Sequence, residues 1–412
     1  MTAHRESEFR RGWRVVLAAA VGVGVGLSGL PFYTFGTFVK PLSDAFGWSR
    51  AEISAGALFL VFGSLMTAPL VGRLADRLGV RRIGLTALAG LAIGFVGLTA
   101  IGGSIWNFYL GWLMVALAGA GTSPIVWTRA VTTWFDRSRG LALGLTLLGT
   151  GIAGMLGPRF VGLLIAWNGW RAGYLGMAAI VAAGALPIVA ALFFERRDHT
   201  AGSGAAPVAI GLTAREAART RHFWMLGLGM FLVSLGIGSA IVHLVPLMTD
   251  RGFAVSDATA LAGLLGGSVV IARIGVGLLV DHFHAPRVAL VLLMLPAIAC
   301  LLLTGDGRAT WIAALAAVLF GVAAGAEVDL IAYLTNRYFG FKAYGEIYGW
   351  QLAFFGLGAG LGPTLTGRVR DVAGGYEPAL YAGAALFVIG ALLIGALGPY
   401  PTLERPVTLA AG

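Results

Sequence analysis

Apolar stretches alternate with short polar connections along almost the whole chain. A hydrocarbon core about 30 Å thick requires about 20 apolar residues in a helix rising about 1.5 Å per residue. On that measure the pattern predicts twelve membrane-spanning helices, at 13–38, 51–72, 83–103, 107–135, 140–166, 171–194, 223–248, 256–280, 286–304, 310–336, 345–367 and 378–399. An even number places both termini on one side. Residues 10–38 resemble a signal peptide only in outline. The apolar part is too long for one and lacks a small-residue cleavage site, so it reads as a retained first span.

A second pattern lies over the first. Residues 41–82 match 246–287 without gaps at an offset of 205. Pro41-Leu42 returns as Pro246-Leu247, Gly47 as Gly252, and Gly72 and Asp76 as Gly277 and Asp281. The same offset carries Gly140, Gly144 and Gly157-Pro158 onto Gly345, Gly349 and Gly362-Pro363. One ancestral unit present twice explains the constant spacing, and membrane carriers place their substrate between such repeats. The expected organisation is a six-helix half over 1–194, a cytoplasmic linker over 195–221 and a second half over 222–412. Within the linker, Thr213-Ala214-Arg215-Glu216 has the form of a capping box that opens a short basic helix.

Composition supports a lipid environment throughout. Of 412 residues, 58% are hydrophobic and 12% charged, against about 25% charged in soluble domains. The mean hydropathy is +0.85. The net charge of +10 is read as loop bias, since the basic residues are scattered over connections and form no block for a nucleic acid. With the termini inside, 19 of the 29 basic residues lie on that side, seven on the other and three within the membrane. The positive-inside rule therefore places both termini in the cytoplasm. The single cysteine, Cys300, excludes a disulfide framework and a thiolate metal cluster. No metal, cofactor, nucleotide-binding loop or nucleophile–base pair is expected, which argues against an enzyme or an ATP-driven pump.

Ionisable residues in mid-membrane are costly and mark function. Arg273 in span eight and Arg129 in span four each sit about 12 Å from the inner end of their helix, and Glu327 and Asp329 in span ten about 15 and 12 Å. These charges share a layer near the midplane. Arg273 is the candidate for a substrate carboxylate, because guanidinium binds it through two parallel hydrogen bonds and stays charged. Glu327 and Asp329, two residues apart, face different sides of their helix. Asp329 continues the small face of Gly321 and Gly325 towards Tyr333 and is the preferred proton-coupling group, with Glu327 as the other candidate. Trp127, at the depth of the charges, and Tyr333 are candidate walls of the substrate site. Tyr33 and His243 read as outer-end residues.

Between spans two and three, Gly72-Arg73-Leu74-Ala75-Asp76-Arg77-Leu78-Gly79-Val80-Arg81-Arg82 resembles the loop signature of the major facilitator superfamily. The second copy keeps Gly277 and Asp281 but few of the basic residues. Three more features resemble the oxalate/formate antiporter and monocarboxylate transporter branch: Phe46-Gly47-Trp48-Ser49-Arg50, Trp134-Phe135-Asp136-Arg137-Ser138-Arg139-Gly140, and Arg273 followed by Gly277 and Asp281. The resemblance spans nearly the whole chain. It implies an all-α membrane protein with twelve transmembrane helices in two pseudo-symmetric six-helix halves. It also implies transport of a small organic anion, commonly with a proton, and a gating role for Gly72, Asp76, Arg77, Gly79, Arg81 and Asp281, which we extend to Arg129. Two departures stand out. Monocarboxylate transporters often carry an aspartate four residues before the span-eight arginine, where this chain has Val269. Oxalate exchangers carry a lysine in span eleven, and residues 345–367 contain none. The expected activity is symport of a monocarboxylate and a proton by a monomer in a bacterial inner membrane. The rivals are a proton-driven exporter of amphipathic compounds, for which Gly157-Pro158 fits the antiporter signature but Ala153 and Val161 do not, and a transporter-like sensor.

Overall fold

The apolar stretches form helices throughout the computed structural model, which describes residues 2–135, 139–194, 211–305, 309–340 and 342–401. In chain order they are α1 (Thr2–Val25), α2 (Leu30–Phe46), α3 (Arg50–Leu78), α4 (Val80–Leu98), α5 (Ile105–Gly119), α6 (Pro124–Thr132), α7 (Arg139–Ala179) and α8 (Leu186–Leu192). The short α9 (Ala214–Ala218) precedes α10 (Arg221–Asp250), α11 (Val255–His282), α12 (Ala285–Thr304), α13 (Thr310–Phe339), α14 (Tyr344–Ala373) and α15 (Glu377–Gly395). Nine stretches among the described residues are long and apolar enough to cross a membrane. One of these, Leu141–Leu192, turns back at Asn168-Gly169, where Gly169 takes φ 74°, and so crosses twice. Gly173 then lies against Ile165, and Gly176 against Leu164, as in an antiparallel hairpin. With α3 and α14 the crossings number twelve.

Two expected spans are broken. The first divides into α1 and α2 at Gly26–Gly29, and the fourth into α5 and α6 across a 3₁₀ turn at Ala120–Thr122. The breaks meet. The Leu27 N–H, freed from its helix, donates to Thr122 Oγ1 at 3.1 Å, and a Cβ on Gly26 would overlap the Thr122 carbonyl. Backbone groups released inside a membrane must find partners within the protein, and the second broken helix supplies one to the first. At the linker, Thr213 and Glu216 make the reciprocal bonds of a capping box at the start of α9. The Thr213 backbone N–H and the adjacent Thr213 hydroxyl hold the Glu216 carboxyl below the usual range. The Leu212 N–H donates to the Phe339 carbonyl, which ties this segment to α13.

Two buried cores result. One is built from Val15 to Phe193, the other from Ala217 to Leu397, and each borrows a residue across the divide: Val242 joins the first and Tyr33 the second. The halves meet where glycine lets backbones approach. A Cβ on Gly36 would overlap the Val242 carbonyl, one on Gly266 the backbone of Gly154, and one on Gly367 the backbone of Ala51. Gly360 packs on Leu58 and Val61, and Gly151 on Val270. Further along the same helices the contact stops. Gly144, Gly277, Gly345 and Gly349 have open space where a Cβ would be. The α3–α14 and α7–α11 pairs thus close at one end and diverge towards the turn between α3 and α4.

Candidate functional site

Arg273 projects from α11 and Asp329 from α13, with Nη1 and Oδ1 3.4 Å apart. The register that joins them runs the length of the two helices. Gly321 lies against Leu265 and Ser268, Gly325 against Val269 and Ala272, then Asp329 meets Arg273, and Tyr333 donates to the Val280 carbonyl at 3.1 Å. The small face of α13 therefore serves close approach to α11. Asp329 closes that seam while its side chain keeps 32% exposure. Arg273 Nε is buried with no hydrogen-bond partner. A guanidinium with one long ion-pair contact and an idle Nε has capacity for a second oxygen ligand.

Glu327 lies on the other side of α13, 3% exposed, with a buried Oε2 that has no partner. Arg273 is within its electrostatic reach, as it is for Tyr33 and Tyr348. The repeat offset of 205 carries Thr122 onto Glu327. In the first half Thr122 satisfies a broken helix; α13 runs unbroken, and Glu327 has no such duty. Tyr33 is deeper than expected. Its helix continues to Phe46, thirteen residues further, so the ring sits about 20 Å from that end. It comes from the other half and brings a phenol to the charged layer.

Two candidate walls are corrected. Trp127 is fully buried in the first core, packed on Gly22, Gly84 and Phe193, and its Nε1 donates to the Thr122 carbonyl at 3.0 Å. Depth put it level with Arg273, but the break before α6 turns the ring into the core to satisfy a carbonyl the break exposes. Tyr333 has the right helix face and the wrong depth. Its hydroxyl is engaged at Val280, seven residues from Arg273, so it braces α13 on α11 near the open end.

Three of the candidate gating residues, Arg77, Gly79 and Arg81, lie at the open end. Gly79 takes φ 86° between α3 and α4, a conformation that favours glycine. Arg77 is exposed. Arg81 donates to the Ala190 carbonyl at 2.7 Å and lies over the Phe194 ring, joining α4 to α8 within one half. Arg129 is exposed on the last turn of α6. The assignments to Gly72, Asp76 and Asp281 fall on side chains outside the described residues.

The opposite end holds a cluster that sequence reasoning missed. Arg50, at the start of α3, bonds Asp250 of α10 at 2.5 Å and Tyr376 at 3.0 Å. Arg370 takes the other Asp250 oxygen at 3.1 Å. Asp371 accepts the Ala51 N–H at 3.0 Å, so a carboxylate of the second half caps the N-terminus of α3 in the first. His243 completes the set. Its Nε2 donates to the Pro363 carbonyl at 2.8 Å and lies 3.2 Å from Ser54 Oγ, while Nδ1 accepts from Tyr376 at 3.0 Å. Burial pushes the Tyr376 phenol up to about 12, so it stays a neutral hydroxyl. Together these bonds latch the halves. We expect Arg50→Ala to unlatch them, because it leaves Asp250 half-paired and Tyr376 without its donor. In protein carrying Cys300→Ala and Ala57→Cys, maleimide should label buried position 57 at least about tenfold faster with Arg50→Ala. That factor corresponds to about 1.4 kcal/mol. Unchanged labelling would show that the contacts carry no latch.

Comparison with known proteins agrees with this architecture. The model of the Major Facilitator Superfamily matches residues 21–363. Monocarboxylate transporter 11 of Homo sapiens is 28% identical over 397 residues, covering 93% of this chain and 82% of the relative. An MFS-type transporter of Gibberella moniliformis is 26% identical, covering 91% and 88%. Among solved structures, a bacterial homolog to the human lysosomal transporter Spinster, in an inward-facing and unoccupied conformation, superposes with a TM-score of 0.73 at 20% identity, covering 94% of this chain and 97% of that one. The chain belongs to the major facilitator superfamily and, like its relatives, is a membrane transporter.

Proposed function

We propose that this major facilitator transporter carries a small organic anion, a monocarboxylate together with a proton, by alternating access. The observation that carries the reading is Arg273: a guanidinium near mid-membrane, held among the described residues by one long contact to Asp329, with an idle Nε. A carboxylate arriving from the open end can take the fork and release Asp329, which accepts the proton. The relatives named monocarboxylate transporters support that substrate class. Tyr33 from the first half and Tyr348 from α14 flank the site, so a substrate there touches both halves.

In this reading the halves 1–194 and 222–412 rock about the site, with 195–221 as the connection. The latch around Arg50 and Asp250 is the outer gate. The turns at Asp76-Arg77 and Asp281, with the nearby ends of α6, α7, α13 and α14, form the inner one. Both termini lie in the cytoplasm, on the side with most basic residues, in a bacterial inner membrane. One chain supplies the whole site and functions as a monomer.

The test is a thermal-shift screen of purified protein against short, branched and aromatic monocarboxylates, followed by uptake in proteoliposomes. A ligand at 100 times its dissociation constant adds about 2.7 kcal/mol to the native state. Stabilisation by amphipathic cations and by no carboxylate would overturn the substrate class. Gating makes a separate prediction. Asp76→Asn should slow turnover severalfold and leave ligand affinity nearly unchanged, because Asp76 lies three residues before Gly79 at the open end. Normal turnover with many-fold weaker binding would contradict an inner gate there.

A further inference from the structure

A cavity of about 380 Å³ lies inside the second half, away from the charged layer. Its size falls in the range of ligand pockets. Leu235 and Gly236 of α10, Cys300 of α12 and Phe320 of α13 form its floor, and Leu365 of α14 and Gly383 of α15 flank it. It shares Tyr376 and His243 with the latch, and the rest of its wall takes no part in the transport steps proposed above.

The cavity opens sideways. Leu357, Leu365, Arg368 and Val372 are all exposed and recur at helical spacing, which makes them the outward stripe of α14. Tyr381, Ala382, Ala385 and Ile389 form the corresponding stripe of α15. Leu365 and Ala382 belong both to these stripes and to the cavity wall. The gap between the two helices therefore faces the bilayer. Its long dimension, from Tyr376 to Phe387, is eleven residues of α15, about 16 Å.

Its chemistry points to an apolar occupant. Three of the polar side chains in the wall, Tyr376, His243 and Ser239, are already committed. Tyr376 receives Arg50 and donates to His243, His243 donates to the Pro363 carbonyl, and Ser239 donates to the Leu235 carbonyl. None of the wall's polar atoms is left buried without a partner. A polar ligand would lose its water there and gain little beyond the Thr366 hydroxyl in return. Outside the mouth, Arg368 stands exposed three residues beyond Leu365 on the same stripe. It is placed to reach a phosphate at the membrane surface.

We propose that this cavity is a binding site for one acyl chain of a membrane phospholipid, which enters between α14 and α15 with its phosphate at Arg368. The site is independent of the substrate reading above.

The test uses the full chain in nanodiscs of phosphatidylethanolamine and phosphatidylglycerol with a trace of phospholipid bearing a diazirine on one acyl chain. After photolysis, adducts are mapped by mass spectrometry. Cys300 and Phe320 are 4% and 3% exposed, out of reach of bulk lipid, whereas Val291 on α12 is 61% exposed and reports it. The proposal expects adducts at Cys300 or Phe320 as well as at Val291. Gly383→Phe fills the cavity, since a Cβ there meets only Cys300 Sγ at 3.4 Å. It should reduce floor adducts by about tenfold, about 1.4 kcal/mol, and spare Val291. Leu365→Phe narrows the mouth from an exposed position and gives the same result should Gly383→Phe fail to fold. Adducts at Val291 with none on the floor in the unsubstituted protein would overturn the proposal. So would floor adducts that both variants leave unchanged, or a floor labelled by a water-soluble diazirine amphiphile and not by the phospholipid.

Discussion

Arg273→Lys is expected to remove most carboxylate uptake while the protein inserts and purifies normally. The substitution keeps a positive charge at the same depth on α11, so charge alone is not what it tests. Lysine presents a compact ammonium on a flexible stem, whereas arginine presents a planar fork that matches a carboxylate with two parallel bonds. In the empty site one arm of that fork is spent on Asp329 at 3.4 Å, and Nε is idle. A lysine can hold Asp329 or a substrate oxygen, but it cannot reproduce the bidentate geometry that moves the pair from one to the other. Losing a buried charge-assisted contact costs about 2–5 kcal/mol, so uptake should fall by at least about thirtyfold. Arg273→Ala removes the charge and should abolish uptake. It also strands Asp329 as an unpaired carboxylate, which threatens folding. Arg273→Ala with Asp329→Asn removes both charges together and separates loss of function from loss of stability. Thermal stability near that of the unsubstituted protein with no uptake is the expected outcome for the double variant. Unchanged uptake by Arg273→Ala would remove the site assignment.

Much of the architecture was legible because it is written in periodicity. Bilayer thickness fixes helix length, and the repeat fixes which helices correspond. The twelve crossings, the turn at Gly79 and the capping box at Thr213 follow from local rules that tertiary packing does not overrule. The helix breaks did not show. Gly24, Gly26 and Gly29 look like the small residues that let membrane helices pack, and the same glycines serve a kink. Only Thr122, ninety-five residues away, decides between the two by receiving the Leu27 N–H. Trp127 was misplaced for the same reason, since depth along a helix is readable but its rotation after a break is not.

The latch was illegible for a different reason. Arg50, Asp250 and the neighbouring Asp371 and Tyr376 come from three distant parts of the sequence, and each alone resembles an ordinary polar residue in an outer turn. The repeat gives no help. The offset of 205 places Val255 opposite Arg50 and Ala45 opposite Asp250. The contact is asymmetric and joins one half to the other, so neither copy predicts it. His243 is an outer-end histidine, as its position suggests, but its partners come from α3, α14 and the turn before α15. A residue that bridges two halves is visible only after the halves are assembled.

Asp329→Asn is expected to abolish accumulation driven by a pH gradient while substrate exchange across the membrane continues. Val269 stands where an aspartate one turn from Arg273 would serve, so a proton-coupled carrier of this sequence needs its carboxyl elsewhere. Asp329 meets the geometric requirement, since it touches Arg273 and keeps part of its side chain exposed. With the site empty, the arginine and the aspartate balance one another. With anion and proton aboard, Arg273 holds the anion and Asp329 is neutral. Both forms can pass between inner and outer gates without an uncompensated buried charge. The half-loaded forms carry one charge too many or too few and cross slowly, and this difference couples the two fluxes. Asparagine imitates the protonated residue permanently. The loaded carrier then moves in both directions, but the empty carrier retains an unpaired Arg273 and returns slowly. Net uptake should fall by about tenfold or more, the effect of about 1.4 kcal/mol on the return step, with exchange largely kept. Glu327→Gln is the control. Glu327 is buried on the far side of α13 and makes no contact with the guanidinium, so a gradient should still drive accumulation through that variant. The measurement is uptake with and without an imposed pH gradient, alongside exchange between preloaded vesicles and labelled substrate, for both variants. Accumulation that survives in both would leave the carrier without a span-ten coupling group and would favour facilitated diffusion of the anion. Loss in Glu327→Gln with retention in Asp329→Asn would move the proton to the buried carboxyl and leave Asp329 as the partner that holds Arg273 between substrates.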